Sequence, residues 1–255
     1  MKSLRDRKLL VWLLLVLPLG ASACGTAASS STSPTSPTSP ASSLTSAVPP
    51  ASPSPGPLPS HPSPPTFHST TSVIDAATRA RMTYSWHPGC PVPIQNLRYL
   101  TMSYWGFDGA VHRGEMVVNR SVAGAVVKVF GKLFAVRFPL RRMRLVDAYG
   151  GDDDRSMAAN NTSAFNCRAV TGGTSWSQHS YGWAIDINPI QNPYVSRAGA
   201  VLPPAGAPYA NRSLTAKGMI HAGDAVVRAF AWVGWGWGGS WSGTRDYQHF
   251  SATGR

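Results

Sequence analysis

The chain has 255 residues and carries 23 Lys and Arg against 11 Asp and Glu, which gives a formal net charge of +12. This length fits one domain with flanking segments, and the positive charge attracts polyanions such as anionic lipid headgroups or an acidic cell envelope. The sequence has no arginine-rich arm and no basic helix with interleaved aromatic residues, so nucleic acid is not a predicted partner. The feature that comes closest to a nucleic-acid-binding cluster is a group of four arginines, which we interpret as a solvated strand face: Arg137, Arg141, Arg142 and Arg144.

Residues 1–23 have the features of an export signal. Arg5, Arg7 and Lys8 precede an apolar run over 9–19, and small residues follow before Cys24. The apolar run is too short for an ordinary membrane-spanning helix. Cys24 resembles the acylated cysteine of bacterial lipoproteins, and the alternative is cleavage nearby followed by release. Both outcomes predict a protein that works outside the cytoplasm, on the outer face of the membrane or in the cell wall. The only predicted membrane contact is a lipid anchor on Cys24.

Residues 24–74 are predicted to form a disordered spacer. The segment consists mainly of Ser, Thr, Pro and Ala, and it includes three consecutive Thr-Ser-Pro units over 32–40. Such a composition has too few apolar side chains to offset the entropy cost of ordering. The prolines favour extended polyproline II geometry, which suits a spacer between an anchor and a domain.

The two remaining cysteines, Cys90 and Cys167, are an even pair in a chain that is exported to an oxidising compartment. This predicts a disulfide between them. The alternative assigns Cys90 as a nucleophile, because His87-Pro88-Gly89-Cys90 loosely resembles the Ser-His-Gly-Cys motif of L,D-transpeptidases. The serine of that motif is missing and Pro88 occupies the wrong position, so the disulfide is favoured.

Residues 75–255 have ordinary globular composition and are predicted to form one domain. Apolar, aromatic and β-branched residues predict strands at 97–105, 114–119, 143–146, 183–187 and 247–250. Apolar residues at helical spacing predict helices at 121–134 and 224–235, and the stretch 149–161 is polar and rich in turn-forming residues. Short strands with helices set apart from them predict an α+β domain with a small, mostly antiparallel sheet and flanking helices.

The densest group of chemically active residues lies around His179 and Asp186. These two residues would point to opposite faces of an unbroken strand, but Gly182 between them allows the backbone to turn. Asp246 and His249 add a second carboxylate and a second imidazole near the end of the chain. Two imidazoles and one carboxylate, with a fourth position open to water, form the ligand set of a catalytic zinc ion. Zinc lowers the pKa of its water to roughly 7, and a nearby carboxylate can accept the proton.

Both motifs together resemble a known family. Ser-x-His-x-x-Gly-x-Ala-x-Asp over 177–186, followed by Asp-x-x-His-Phe over 246–250, is similar to the zinc D-alanyl-D-alanine carboxypeptidases. Relatives of that family include the D-Ala-D-Ala dipeptidases of vancomycin resistance, phage L-alanyl-D-glutamate endolysins and the zinc domain of Hedgehog proteins. The stretches 160–168 and 186–189 also resemble exported bacterial members. The resemblance implies a Hedgehog/D,D-peptidase-like zinc domain.

The resemblance also implies a role for each site residue. His179, Asp186 and His249 would bind one zinc ion per chain, and Asp246 would be the catalytic base, where some members have Glu. Arg168 resembles the arginine that contacts the substrate's developing oxyanion or its carboxylate. Ser177 would hydrogen-bond substrate, and its alternative is a turn residue. His221 is the alternative candidate for a zinc ligand. Trp237 and Trp241 are candidates to line a substrate groove.

The implied substrates are peptidoglycan stem peptides in an anionic cell envelope, cleaved by D-alanyl-D-alanine carboxypeptidase activity. One alternative is an L-alanyl-D-glutamate-type endopeptidase. Another is a zinc-containing module that binds wall peptide or a protein partner without cleaving it. A serine peptidase is disfavoured, because the sequence contains neither Ser-x-x-Lys nor Gly-x-Ser-x-Gly.

Overall fold

The structure is a computed structural model that describes residues 64–255. The predicted export signal, Cys24 and the spacer up to residue 63 lie outside the described residues. The described part contains four α-helices and twelve strands. The helices are α1 Ala76–Arg81, α2 Ala123–Ala135, α3 Asp153–Ala158 and α4 Ala225–Ala231. The strands are β1 Ser69–Val73, β2 Leu97–Gly106, β3 Val111–Asn119, β4 Pro139–Leu140, β5 Arg142–Met143, β6 Asn161–Thr162, β7 Ala184–Asp186, β8 Tyr194–Val195, β9 Val201–Leu202, β10 Gly236–Trp237, β11 Arg245–Asp246 and β12 His249–Ser251.

The largest sheet is built on β2, which pairs antiparallel with β1 and β3 and, at its end, parallel with β4. The two long strands, β2 and β3, fall where apolar, aromatic and β-branched residues predict them, and β3 begins at Val111, three residues before the predicted start at Gly114. β1 lies within the segment that composition assigned to the spacer, 24–74. The first strand therefore begins at Ser69. The folded domain starts before Asp75, where the sequence predicts the end of the spacer.

The main core lies between this sheet, α2, α4 and the strands β7 and β12. The inward side chains of α2 recur at helical spacing, and Phe130 and Phe230 meet the core from the two helices. Phe230 stacks on Phe250 of β12, with ring centroids 4.0 Å apart. Burying an aromatic side chain of this size contributes about 1.5–3 kcal/mol. The core thus fixes β7 and β12, which carry two of the candidate site residues.

Three smaller sheets complete the domain. β7, β12 and β10 form an antiparallel sheet, β8, β9 and β11 form another, and β5 pairs parallel with β6. Helices mixed with mainly antiparallel strands agree with the predicted α+β class. The single small sheet that the sequence predicted is replaced by four sheets, because several strands are only two or three residues long.

Two local predictions were wrong. The stretch 149–161 contains α3, and the carboxylate of its N-cap residue, Asp152, accepts a hydrogen bond from the backbone N–H of Arg155 at 3.0 Å. The predicted strand 143–146 is limited to Arg142–Met143, and a turn of 3₁₀ helix follows over Val146–Tyr149. None of the helices within 64–255 has both the length and the apolar character of a membrane span.

The predicted disulfide is present between Cys90 and Cys167. Cys167 is buried in a second apolar cluster with Met82, Leu97 and Phe165. The bond joins the start of the domain to the loop that continues into Arg168. The alternative role of Cys90 as a free nucleophile is therefore excluded in the bonded protein.

Candidate metal and active site

Asp186 and His249 are brought together by strand pairing. They are register partners in the antiparallel pair of β7 and β12, so their side chains lie on the same face of the sheet. The distance from Nδ1 of His249 to Oδ1 of Asp186 is 3.1 Å, and both side chains are buried. The backbone register therefore sets the contact between the two residues.

His179 reaches the same point through a tight turn. A 3₁₀ helix over Gln178–Tyr181 ends at Gly182, whose φ of 69° lies in the left-handed region. A Cβ atom at Gly182 would come within 2.5 Å of the backbone nitrogen of Asn119, so a larger residue would clash there. The turn places Nε2 of His179 3.2 Å from Oδ2 of Asp186 and 3.3 Å from Nδ1 of His249.

Backbone carbonyl groups orient both imidazoles. Nδ1 of His179 donates to the carbonyl oxygen of Ala164 at 2.6 Å, and Nε2 of His249 lies 3.4 Å from the carbonyl oxygen of Arg255. Ala164 is itself held in place because its neighbour Ser163 exchanges two backbone hydrogen bonds with Asp186. Each ring proton is thus directed away from the cluster, and the other ring nitrogen faces inward as a lone-pair donor.

The inward atoms of these three residues fit a zinc ion. When both imidazoles are neutral, their inward nitrogens and the carboxylate oxygens of Asp186 are all hydrogen-bond acceptors. Buried acceptors that face one another repel unless a cation or an extra proton lies between them. The distances of 3.1–3.3 Å between them agree with the roughly 3.3–3.4 Å that separates two donors of a tetrahedral zinc ion. Burial alone would raise the pKa of Asp186, but the charges and hydrogen bonds of His179 and His249 hold that pKa far below its usual range. Asp186 is therefore an anion, as a metal ligand must be.

Asp246 lies in the same cavity on β11 and is half-buried. Its Oδ1 atom is enclosed and has no hydrogen-bond partner among the described residues. Burial, together with the negative charge of Asp186, raises the pKa of Asp246 to about 7. A carboxyl group with such a pKa can both accept and return a proton near neutral pH.

Arg168 forms an ion pair that sequence reasoning missed. Its Nη2 atom lies 2.6 Å from Oδ2 of Asp153, and its Nη1 atom donates to the carbonyl oxygen of Ala169 at 3.1 Å. Its Nε atom is enclosed without a partner in the described part of the chain. Burial raises the pKa of Asp153, against the opposing effect of the Arg168 charge. The three consecutive aspartates at 152–154 could have indicated the start of a helix. They do not indicate the contact between Asp153 and Arg168.

The cavity that contains these residues has a volume of about 320 Å³. Tyr194, Leu202 and Trp241 supply an apolar part of its wall, and Arg255 adds a second cation. Ser177 also lines the cavity, and its hydroxyl accepts a hydrogen bond from the backbone N–H of His179 at 3.3 Å. Ser177 thus has a local structural role beside any contact with substrate.

Two other predicted candidates lie elsewhere. Trp237 is buried in the core, and its indole nitrogen donates to the carbonyl oxygen of Tyr247, so it does not line the cavity. His221, the rival ligand, precedes α4 and does not belong to the cluster of His179, Asp186 and His249. The position of His221 therefore leaves the predicted ligand set unchanged.

Residues 171–252 match the family model described as D-alanyl-D-alanine carboxypeptidase. The matched segment contains the three candidate ligands and Asp246, while Asp153 and Arg168 lie before it. The match supports a peptidase of this general type. Comparisons with curated proteins and with solved structures gave no match.

Proposed function

We propose that this protein is a zinc metallopeptidase that hydrolyses peptidoglycan stem peptides, acting as a D-alanyl-D-alanine carboxypeptidase. The observation that carries the proposal is the convergence of His179, Asp186 and His249 beside Asp246 in one cavity. These four residues belong to the segment that matches the carboxypeptidase family. A zinc ion held by the three ligands would polarise the peptide carbonyl and lower the pKa of the attacking water.

Asp246 is the proton carrier of the proposed reaction. Asp246 lines the cavity beside the candidate ligands, and its Oδ1 has no partner among the described residues, so we assign it to accept the proton of the attacking water. Because its pKa is raised toward neutrality, it can return the proton to the departing amine. An Asp is one methylene shorter than the Glu of some family members, and Asp246 lines the same cavity as the three candidate ligands.

Arg168 supports recognition of the substrate. The stem peptide ends in a free carboxylate, and a guanidinium group binds carboxylates through paired hydrogen bonds. Asp153 and the Ala169 carbonyl hold two nitrogens of Arg168, and the same side chain lines the cavity that contains the candidate ligands. We assign Asp153 as the positioning residue that fixes the direction of this arginine.

The proposed location rests on the sequence before the first strand, which begins at Ser69. An export signal, Cys24 as a lipid attachment site and a Pro/Ser/Thr spacer suit an enzyme that is anchored to the outer face of the membrane and reaches into the wall. The formal charge of +12 favours an anionic cell envelope as the surroundings.

The test is mass spectrometry of defined muropeptides after incubation with the zinc-loaded protein. Pentapeptide, tetrapeptide and intact sacculi are compared side by side, with Asp246→Asn as the matched control. Release of D-Ala from the pentapeptide alone supports the proposal. Cleavage only between L-Ala and D-Glu would assign the protein to the endopeptidase alternative, and no cleavage of any substrate would favour a non-catalytic wall-peptide or protein-binding module.

A further inference from the structure

A second recess lies along β3, away from the candidate zinc site. It consists of two adjoining cavities of about 610 and 270 Å³ that share Tyr104, His112 and Arg144 as lining residues. The larger cavity exceeds the one at the zinc site, and the two sites share no lining residue. β3 pairs only with β2 among the described strands, so the recess follows the edge of the first sheet. We call it the β3 groove.

The lining of the β3 groove is strongly cationic. Its two carboxylates are already engaged: Glu115 accepts from Arg81 and from the hydroxyl of Tyr99, and Asp108 accepts from His112. Five arginines line the groove, namely Arg81, Arg113, Arg141, Arg142 and Arg144. The positive charge therefore exceeds the negative charge even after the internal ion pairs are counted.

Several of these guanidinium groups are available to a ligand. Neither Arg141 nor Arg144 donates a side-chain hydrogen bond to any residue within 64–255. Arg113 is held toward the groove by the hydroxyl of Thr101 at 2.8 Å, and Thr101 is buried and hydrogen-bonded to Thr70 at 2.7 Å. The groove thus combines one fixed arginine with two whose donors are unused.

The floor of the groove is preformed. Gly114 lies against Met143, and a Cβ atom at position 114 would come within 2.5 Å of the Met143 side chain. Met143 is fully buried, and Tyr104 stacks on His112 with ring centroids 5.4 Å apart. Met143 and the stacked pair therefore form a packed base beside the cationic side chains that line the recess.

We propose that the β3 groove binds an anionic polymer whose repeating charge is a phosphodiester group, such as a polyol phosphate of the cell envelope. Guanidinium groups match phosphate oxygens through paired, charge-assisted hydrogen bonds. Two adjoining cavities with arginines along both favour a ligand with repeated charges over a single small anion. A protein that reads a nucleic-acid duplex inserts a protruding element into the grooves of that duplex. The β3 groove is a recess, so it suits a single flexible chain better than a duplex. Binding there would retain the enzyme in the wall without using its catalytic residues.

The experiment measures binding of poly(glycerol phosphate) to the purified protein by isothermal titration calorimetry at two salt concentrations. Arg113→Gln combined with Arg144→Gln removes two charges from the groove. Arg120→Gln combined with Lys128→Gln removes two exposed charges outside it and is the matched control. We expect the affinity to fall by at least about tenfold in the groove variant and by much less in the control. Hydrolysis of a soluble stem peptide should be the same in both variants.

Arg144→Gln alone is the second variant, because its guanidinium touches no described acceptor and its loss leaves the fold intact. A weaker but measurable loss of binding in this variant supports the groove. Equal losses in the groove and control variants would overturn the proposal in favour of non-specific attraction. Equal affinity for poly-glutamate would refute selection of phosphate, and tighter groove-dependent binding of a DNA duplex would reassign the groove to nucleic acid.

Discussion

Asp186 and His249 are directly opposed partners in the antiparallel pair of β7 and β12, and their side chains meet at 3.1 Å. Because side chains alternate along a strand, a slip of one residue would turn one of them to the other face. The geometry of the candidate metal site therefore depends on the same backbone register that completes the core at Ile185 and Phe250.

The first prediction concerns the ligands. Replacing His179, Asp186 or His249 with Ala removes one of three protein donors, so zinc affinity should fall by more than the roughly 10–100-fold loss typical of outer-shell partners. Equilibrium dialysis with a zinc indicator measures the affinity and the stoichiometry, which should be one per chain in the unmodified protein. His221→Ala is the control and should bind zinc normally. Tight stoichiometric binding by His249→Ala would show that the ligand set is wrong.

Asp246→Asn should separate binding from catalysis. The amide keeps the shape of the side chain but cannot accept a proton, so kcat should fall by about 10² or more while zinc remains bound. Steady-state kinetics on the pentapeptide and zinc analysis of the same sample provide the measurement. A rate close to that of the unmodified protein would remove Asp246 from the mechanism.

The raised pKa of Asp246 predicts a pH dependence of stability in the metal-free protein. Between the usual Asp range near pH 4 and the folded value near pH 7, the folded state retains a proton that the unfolded state has lost. The free energy of unfolding should therefore decrease as pH rises through this window. Asp246→Asn removes this contribution, so its stability relative to the unmodified protein should be greater at pH 8 than at pH 4, by on the order of 4 kcal/mol for a pKa that is raised to about 7. Urea unfolding in the presence of a chelator measures both values, and a pH-independent difference would contradict the assignment.

Asp153→Asn should impair recognition of the substrate without affecting the metal. The substitution removes the charged partner of Arg168, so kcat/KM should fall by roughly 10–100-fold, as expected for the loss of a charge-assisted hydrogen bond. Zinc affinity should be unchanged, and Asp153→Glu should restore part of the activity. Asp154→Asn, on the exposed side of the same helix, is the matched control. A loss of activity equal in both variants would show that the effect is merely structural.

The candidate ligands were accessible from sequence because they lie in two compact motifs. The spacing of His179, Gly182 and Asp186 already requires a turn, and Gly182 has the left-handed φ that this turn needs. The long strands β2 and β3 were likewise visible in their apolar and β-branched composition, and the helices α2 and α4 in their apolar periodicity. These features are local, so a short window of sequence contains the physical information that specifies them.

The features that were missed depend on distant contacts. Asp153 lies fifteen positions before Arg168 and meets it only because α3 folds against the loop that follows Cys167. The strand β1 consists of Ser-Thr-Thr-Ser-Val, and all five residues are exposed, so no apolar alternation marks it. Its register with Arg98–Met102 of β2 comes from backbone hydrogen bonds, which side-chain composition does not reveal.

Release of D-alanine from a stem pentapeptide, followed through removal and return of zinc, tests the proposed function most directly. The protein should release D-alanine in its zinc-loaded form, lose this activity when a chelator removes the metal, and regain it on addition of one equivalent of zinc. Release that persists unchanged in the metal-free protein, or no release from the fully zinc-loaded protein, would contradict a zinc D-alanyl-D-alanine carboxypeptidase.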